Sequence, residues 1–178
     1  MAHDGPDHHH HDDHQHHHHG HAESAVGCWV VTCSDTRTGE TDKSGPVAKM
    51  LLMEAGHTLL GSELVKDDAA AIIHSLEHAL AHGARCIIFT GGTGIARRDV
   101  TVETLEPKFE KRVNGYGELF RALSFQDVGS AAWLSRATAG VVQGALVFAL
   151  PGNPKAVELA LTKLILPELD HAVRELLR

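Results

Sequence analysis

The sequence predicts an α/β fold, a single three-layer domain in which helices cover both faces of a mostly parallel sheet. Its 178 residues are enough to bury a core without disulfide support. Short apolar runs alternate with segments of helical spacing between residues 26 and 90. This β-α-β-α-β order is typical of parallel strands whose connecting helices pack against the sheet.

Three strands and two helices are predicted in the first half of the domain. The strands are the apolar runs VGCWVVTC, HTLLGSELV and ARCIIFT, which begin at residues 26, 57 and 84. A polar loop, SDTRTGETDKSG, follows the first strand. PVAKMLLMEAG then predicts a helix with Pro46 in its first turn and Gly56 at its end. In DDAAAIIHSLEHALAHG, apolar residues recur at helical spacing until Gly83 ends the helix.

The second half is less regular. TVETLEPKF predicts a short helix, and GYGELFRALSF predicts a longer one. SRATAGVVQGALVFALPG indicates two strands joined near Gln143 and Gly144. The segment from Asn153 to the end is predicted to be helical, with an interruption at Pro167.

Composition excludes several classes of protein. The formal charge is −7, but residues 1–24 hold five acids and no Lys or Arg, so the remainder has 18 acids against 16 bases. That balance does not provide a general nucleic-acid surface. The apolar runs are too short to cross a membrane, and no secretory signal begins the chain. The three cysteines lie in or beside apolar runs and are predicted to be buried free thiols. We therefore expect a soluble cytoplasmic protein.

Residues 1–24 are predicted to form a disordered tail that precedes a domain at 25–178. This tail carries 11 of the 16 histidines and offers almost no apolar side chain for a core. An expression tag or an inert tail is one explanation, although irregular Asp and Gln residues argue against a simple tag. Imidazoles at this density would bind Ni²⁺ or Zn²⁺ loosely.

A second group of histidines, His74, His78 and His82, is spaced four residues apart along the second predicted helix. One face of that helix could present a metal pair. Their spacing falls opposite the apolar stripe, which favours a solvated face.

Three polar turns follow predicted strands, at residues 34–45, 90–99 and 151–155. In a parallel sheet such turns converge on a ligand crevice at the carboxyl ends of the strands. The middle turn, TGGTG, lacks the spacing of a Walker A loop and of a dinucleotide fingerprint. Its glycines could place backbone N–H groups around an anion, or could simply allow a tight turn.

Charged residues follow this glycine loop. Arg97 and Arg98 could pair with phosphate oxygens, whereas Asp99 would repel them. Either Asp99 caps the helix that begins near Thr101, or it holds Mg²⁺ that bridges carboxylate and phosphate. The Asp67-Asp68 pair follows a strand that we expect to neighbour that of the glycine loop, so it could face Asp99 across the crevice.

The third turn, PGNPKAV, has an Asn in a capping position and a Pro suited to the first helical position. These residues explain a helix start, and an anion site is the alternative.

Four segments, SDTRTGETDKSG, TGGTGIARRDVTVE, LSRATAG and PGNPKAV, occur in this order. Together they resemble the molybdenum cofactor biosynthesis protein family (MoaB/Mog), nearer to its MoaB side, over residues 26–178. The resemblance implies an α/β fold that binds molybdopterin, the pterin-dithiolene of molybdenum enzymes. Active members of the family transfer AMP from ATP to the terminal phosphate of molybdopterin and release pyrophosphate. A homotrimer or homohexamer, and partners among other molybdenum cofactor biosynthesis proteins, are also implied.

The resemblance also implies site residues. It places two catalytic aspartates, which would hold Mg²⁺, at Asp67 and Asp99. The implied pterin- and phosphate-binding residues are Thr90, Gly91, Gly92, Thr93, Gly94, Arg98, Ser135, Arg136, Gly152 and Asn153. A nucleotide loop is implied at Ser34, Asp35, Ser44 and Gly45.

Three functions compete on this sequence. The first is molybdopterin adenylyltransferase, which the presence of both aspartates favours because some MoaB-type chains lack the second. The second is a molybdopterin-binding scaffold without turnover, and Val102, where many adenylyltransferases have proline, is a departure in that direction. The third is a histidine-rich metal-storage protein.

Overall fold

A six-stranded mixed sheet runs through the computed structural model, which describes residues 25–178. The predicted tail at 1–24 lies outside the described residues. The strands are β1 (Gly27–Cys33), β2 (Thr58–Val65), β3 (Cys86–Thr90), β4 (Lys111–Arg112), β5 (Thr138–Val142) and β6 (Ala145–Leu150). Across the sheet they lie in the order β2-β1-β3-β6-β5-β4. The first four of these are parallel, and β5 and β4 form an antiparallel edge.

Six helices accompany the sheet. They are α1 (Ser44–Glu54), α2 (Ala69–Ala81), α3 (Thr101–Leu105), α4 (Asn114–Val128), α5 (Pro154–Ala160) and α6 (Leu169–Leu176). Short 3-10 turns follow α3 and α4, and a π turn (Leu161–Ile165) follows α5. The predicted strands and helices are confirmed, including the break near Pro167 in the last helical segment. The two-residue strand β4 was not predicted, because its exposed Lys-Arg pair has no apolar pattern.

Two separate cores cover the two faces of the sheet. Helices α1, α4, α5 and α6 pack on one face, where Leu52, Phe120 and Leu161 are fully buried. Helix α2 and α3 pack on the other face, with Ile72 and Leu105 buried against the sheet. The predicted three-layer arrangement is therefore confirmed. The three cysteines are buried and free, also as predicted.

The β5–β6 hairpin turns through two residues, Gln143 and Gly144, with φ angles of 48° and 72°. Positive φ at both positions is typical of the turn that matches the twist of paired strands. The connection therefore lies where the sequence predicted it.

The parallel strands β1, β2, β3 and β6 all end at the same edge of the sheet. One prediction about this edge was wrong, because β2 and β3 are not neighbours. Both strands pair with β1, which lies between them. The loop after β1 therefore begins between the loops that follow β2 and β3. Among residues 25–178, no helix is long and apolar enough to cross a membrane.

Candidate functional site

A crevice of about 640 Å³ opens at the carboxyl ends of the parallel strands. Every one of these strands contributes to it, either with its last residue or with the loop that follows. The lining comes from residues 33–37, Asp67, residues 91–94, residues 98–99, residues 134–135 and residues 151–154. The crevice thus lies where parallel sheets generally bind ligands.

The glycine loop leaves β3 through two residues in left-handed conformations, Gly91 (φ 99°) and Gly92 (φ 62°). The Gly91 N–H donates to the carbonyl of Leu150 at 2.9 Å, which fastens the loop to the end of β6. A Cβ on Gly91 would overlap the carbonyl oxygen of Cys33, and a Cβ on Gly92 would lie 2.6 Å from Asp67 Oδ1. Glycine is therefore required both by the backbone angles and by the close approach of neighbouring loops.

Asp67 directs its carboxylate at this loop from the segment after β2. Its Oδ1 atom is buried and has no hydrogen-bond partner, and the same is true of the nearby Thr101 Oγ1. Burial raises the pKa of the Asp67 carboxyl, the charges of Asp35 and Asp99 raise it further, and Arg98 opposes them. The ionised carboxylate is thus held in a place that disfavours its charge.

The adjacent Asp68 has a different role. Its carboxylate accepts a hydrogen bond from the Ala71 N–H at 3.0 Å and caps the start of α2. Of the two neighbouring aspartates, Asp67 therefore lines the crevice and Asp68 caps a helix.

Asp99 does not cap a helix. Helix α3 begins at Thr101, and Val100 occupies the capping position without a side-chain hydrogen bond. The Asp99 Oδ2 atom instead accepts a hydrogen bond from the Ala96 N–H at 2.8 Å, which closes the turn after the glycine loop. The structure therefore excludes Asp99 as a helix cap. Its carboxylate lines the crevice instead.

The donor set fits a hard divalent cation. Two carboxylates, Asp67 and Asp99, line one crevice and repel each other, and one of them has a buried oxygen without a partner. Mg²⁺ typically takes one or two protein carboxylates, with substrate phosphates and waters as the remaining ligands. The described residues contain no group of three or more His, Cys, Asp or Glu side chains placed to hold a metal alone. A cation here would therefore depend on ligands that the substrate brings.

Arg37 is a crevice residue that sequence reasoning missed. Its Nη1 donates to Ser44 Oγ at 2.8 Å, and its Nη2 donates to the Gly152 carbonyl at 2.7 Å. The guanidinium thus ties the loop after β1 to the loop after β6. Its position in the polar segment SDTRTGETDKSG was the only available signal, and it does not reveal a partner 115 positions away.

Behind the crevice, Asp42 organises the loop between β1 and α1. It accepts hydrogen bonds from the Thr32 hydroxyl at 2.7 Å and from the N–H groups of Ser44 and Gly45 at 3.0 and 3.1 Å. Burial would raise the pKa of the Asp42 carboxyl, but these hydrogen bonds outweigh it and the pKa is lowered. Ser44 also lies 2.8 Å from the hydroxyl of buried Thr90.

Arg136 lies beside the crevice rather than in it. Its guanidinium pairs with Glu103 and donates to the Asp99 carbonyl at 3.1 Å. The hydrogen bond from Arg136 lowers the pKa of the Glu103 carboxyl. Arg136 therefore holds α3 and the Asp99 turn in place.

The structure brings most of the predicted site residues together. Those that line the crevice are Ser34, Asp35, Asp67, Gly91, Gly92, Thr93, Gly94, Arg98, Asp99, Ser135, Gly152 and Asn153. Four predicted residues do not line it, namely Ser44, Gly45, Thr90 and Arg136. These four support the crevice from behind or from the side. Asn153 also caps α5 through the Lys155 N–H at 2.9 Å, as its sequence position predicted.

Comparisons with known proteins agree with this architecture. Residues 29–171 match a family described as "Probable molybdopterin binding domain". The chain is 51% identical over 157 residues to "Molybdenum cofactor biosynthesis protein B" of Bacillus subtilis strain 168, covering 87% of this chain and 92% of that protein. A solved structure, "Crystal structure of Molybdenum cofactor biosynthesis protein B", superposes with a TM-score of 0.86 at 46% identity, covering 89% of this chain and 99% of that one. The tungsten cofactor synthesizing protein MoaB from Pyrococcus furiosus superposes with a TM-score of 0.81 at 36% identity, covering 88% and 100%.

Proposed function

The chain belongs to the molybdenum cofactor biosynthesis family of MoaB-type proteins, and we propose that its crevice binds molybdopterin and adenylylates it with Mg-ATP. A role in molybdenum cofactor biosynthesis follows from the family. The proposed reaction goes further. An oxygen of the molybdopterin phosphate attacks the α-phosphorus of ATP, and the bond to pyrophosphate breaks.

One observation carries this proposal: the buried, unpartnered oxygen of Asp67 faces the glycine loop in a crevice that also holds Asp99. A carboxylate oxygen that is shielded from solvent and has no hydrogen-bond partner is unfavourable, and a cation would compensate it. A crevice that served only to bind an anion would gain nothing from the carboxylates of Asp35, Asp67 and Asp99. A substrate that arrives with its own divalent cation removes the conflict.

The remaining groups of the crevice suit phosphate. Arg98 adds a positive charge at the rim, and Gly92 and Gly94 have no side chain to keep a phosphate from the backbone of the loop. Arg37 holds the Gly152 carbonyl, so the loops on both sides of the crevice keep a fixed separation. Such positioning supplies much of the rate in phosphoryl transfer.

Asp67 and Asp99 would hold the Mg²⁺, which when bound neutralises phosphate charge and stabilises the charge that develops at the transferred phosphorus. The carboxylates would also direct the triphosphate, because they repel any phosphate oxygen that carries no cation. The attacking phosphate is already ionised at neutral pH, so this chain need not supply a strong base.

The direct test is incubation of the protein with molybdopterin, ATP and Mg²⁺, followed by measurement of adenylylated pterin and pyrophosphate. Asp67→Asn and Asp99→Asn keep the shape of each side chain, and each should lower turnover by orders of magnitude while molybdopterin still binds. Because both aspartates would act through one ion, the double variant should lose less than the product of the two single losses. The matched control is Asp68→Asn, since Asn caps a helix about as well as Asp.

Each alternative predicts a different result. Binding of molybdopterin without product, in the wild-type protein, would favour the scaffold that lacks turnover. An equal loss of turnover in Asp68→Asn would show that the aspartate substitutions act on the fold rather than on the crevice. Metal storage as the main function would require turnover and pterin binding both to be absent.

We further propose that the protein assembles as a homotrimer or homohexamer. Four large apolar side chains along α4 and the turn after it are more than half exposed, namely Leu119, Phe125, Val128 and Trp133. Phe125 and Trp133 line one apolar groove, and exposed apolar surface of this kind generally marks an interface. Light scattering that gives the mass of a single chain would overturn the assembly and leave the crevice chemistry untouched.

A further inference from the structure

Thr101, the first residue of α3, is completely buried, yet its Oγ1 atom has no hydrogen-bond partner among residues 25–178. Buried hydroxyls are nearly always paired, because an unpaired one loses its bonds to water without replacement. Another threonine of the same helix follows this rule, since Thr104 Oγ1 donates to the Val100 carbonyl at 2.7 Å. Thr101 makes no such bond within its helix, so its partner should lie outside α3.

Asp67 provides a matching atom. Its Oδ1 is also buried and also lacks a partner. Both oxygens pack against Gly92, where a Cβ would overlap Thr101 Oγ1 and would lie 2.6 Å from Asp67 Oδ1. A hydroxyl can donate one hydrogen, and an ionised carboxylate can only accept. The two unpartnered atoms are therefore complementary, and they lie on the same side of the glycine loop.

The Cys33 thiol, at the end of β1, lies near both groups. Its pKa is raised to about 12, chiefly by burial; the Thr101 hydroxyl opposes this rise and the charge of Asp67 adds to it. The hydroxyl is thus close to the thiol without being hydrogen-bonded to it. A thiol that stays neutral is a weak acceptor, so the carboxylate is the stronger partner for the Thr101 hydroxyl.

The backbone of Asp67 is held, but its carboxylate is not. The Asp67 N–H donates to Asp35 Oδ1 at 3.2 Å, which fixes the segment after β2. That bond leaves the side chain free to turn. Carboxylates that bind a metal are usually hydrogen-bonded in turn, because the second partner sets the direction of the ligating oxygen. A donor at Oδ1 would direct Oδ2 into the crevice.

We propose that Thr101 is a positioning residue for Asp67: its hydroxyl donates to Oδ1 and so directs Oδ2 toward the cation of a metal–nucleotide substrate. The cation in this inference rests on the proposed function, whereas the hydrogen bond rests on the geometry beside Gly92 alone. Thr101 does not line the crevice, so it acts through Asp67 and touches no substrate.

The hydrogen bond is tested in the metal-free protein by thermal unfolding at pH 7 in EDTA. Thr101→Val keeps the shape of the side chain and should lower the melting temperature by roughly 3–6 °C, the effect of losing a hydrogen bond to a charged group in a domain of this size. In an Asp67→Ala background the same change should lower it by less than half as much, because the effects of residues in contact do not add. Thr104→Val is the matched control and should have the same effect in both backgrounds.

The positioning role is tested by the binding of Mn²⁺, read by electron paramagnetic resonance, together with the α,β-methylene analogue of ATP, which cannot release pyrophosphate. Thr101→Val should weaken the binding of Mn²⁺ by about 10-fold or more, the usual effect of removing such a partner. Thr101→Ser restores the hydroxyl and should bind Mn²⁺ like the wild type, although the lost methyl group lowers its melting temperature. Thr104→Val should leave the affinity for Mn²⁺ unchanged.

Equal shifts of melting temperature in the two backgrounds would show that Thr101 only fills space, and would overturn the inference. An affinity for Mn²⁺ in Thr101→Val within twofold of the wild type would overturn it as well. A wild-type protein that binds no Mn²⁺ with the analogue would instead overturn the proposed use of Mg-ATP and the cation role of Asp67, whatever the melting temperatures show about Thr101.

Discussion

Replacing Arg37 with alanine should destabilise the fold and loosen the crevice together. The guanidinium makes two short hydrogen bonds, to Ser44 Oγ at 2.8 Å and to the Gly152 carbonyl at 2.7 Å. A hydrogen bond to a charged group contributes about 1.5–3 kcal/mol. The Arg37 side chain is 30% exposed, so water replaces part of what is lost and the lower end of the range applies. We expect Arg37→Ala to cost about 2–3 kcal/mol of unfolding free energy.

For a domain of this size, 1 kcal/mol corresponds to roughly 2–4 °C in melting temperature. Arg37→Ala should therefore melt about 5–10 °C below the wild type in differential scanning calorimetry. Arg37→Lys keeps the charge but not the two-pronged geometry, so we expect about half of that loss. Arg97→Ala is the control, because Arg97 is exposed and does not line the crevice.

The same variants report on the site. The loop that carries Gly152 and Asn153 loses its tether to the loop after β1, so molybdopterin should bind more weakly to Arg37→Ala than to Arg97→Ala. A melting temperature within 2 °C of the wild type, together with unchanged binding, would refute the role assigned to Arg37.

Three further predictions follow from the geometry. Burial and the carboxylates of Asp35 and Asp99 raise the pKa of Asp67 above its ordinary value of 3.8. Protonated Asp67 therefore stabilises the folded protein below pH 3.8, and this stabilisation is lost as the pH rises through the pKa of the folded state. Asp67→Asn should therefore melt above the wild type at pH 7 in EDTA, with the advantage shrinking toward pH 4; an unchanged or lower melting temperature would contradict this. Gly91→Ala places a Cβ against the Cys33 carbonyl and should cost about 2–4 kcal/mol in urea unfolding, whereas Gly115→Ala, which meets nothing within 4 Å, should stay within about 0.5 kcal/mol. Burial raises the pKa of the Cys33 thiol to about 12, so a thiol reagent at pH 8 should label it only after unfolding, and rapid labelling of the native protein would contradict its burial.

Local patterns in the sequence were sufficient for most of the fold. The apolar runs marked the strands, helical spacing marked α2, and Pro46 and Gly56 marked the start and the end of α1. The turn at Gln143 and Gly144 and the cap at Asn153 were predictable because backbone angles and capping depend on residues a few positions apart. The glycine loop and Asp99 were recognised for the same reason, since they lie in one short segment.

The order of strands was not a local property. Placing β1 between β2 and β3 depends on which edges pair, and the exposed, alternating pattern of β2 does not say which neighbour it has. The residue pattern alone left Asp67 and Asp68 as a pair, and the family resemblance assigned the site to Asp67; the structure adds that Asp68 caps α2. One carboxylate was required for its cap, and the other was left to face the glycine loop.

The sequence by itself determined the α/β class, the positions of its strands and helices, and the loops from which a site would be built. Only the tertiary structure decided that Arg37 reaches Gly152, that Ser44, Thr90 and Arg136 lie outside the crevice, and that the Glu63 carboxylate lies within hydrogen-bond distance of His78. These contacts join segments far apart in the chain, where no periodicity relates one partner to the other. Their formation depends on how helices and strands pack in three dimensions, and packing sums over the whole core rather than over any stretch of residues.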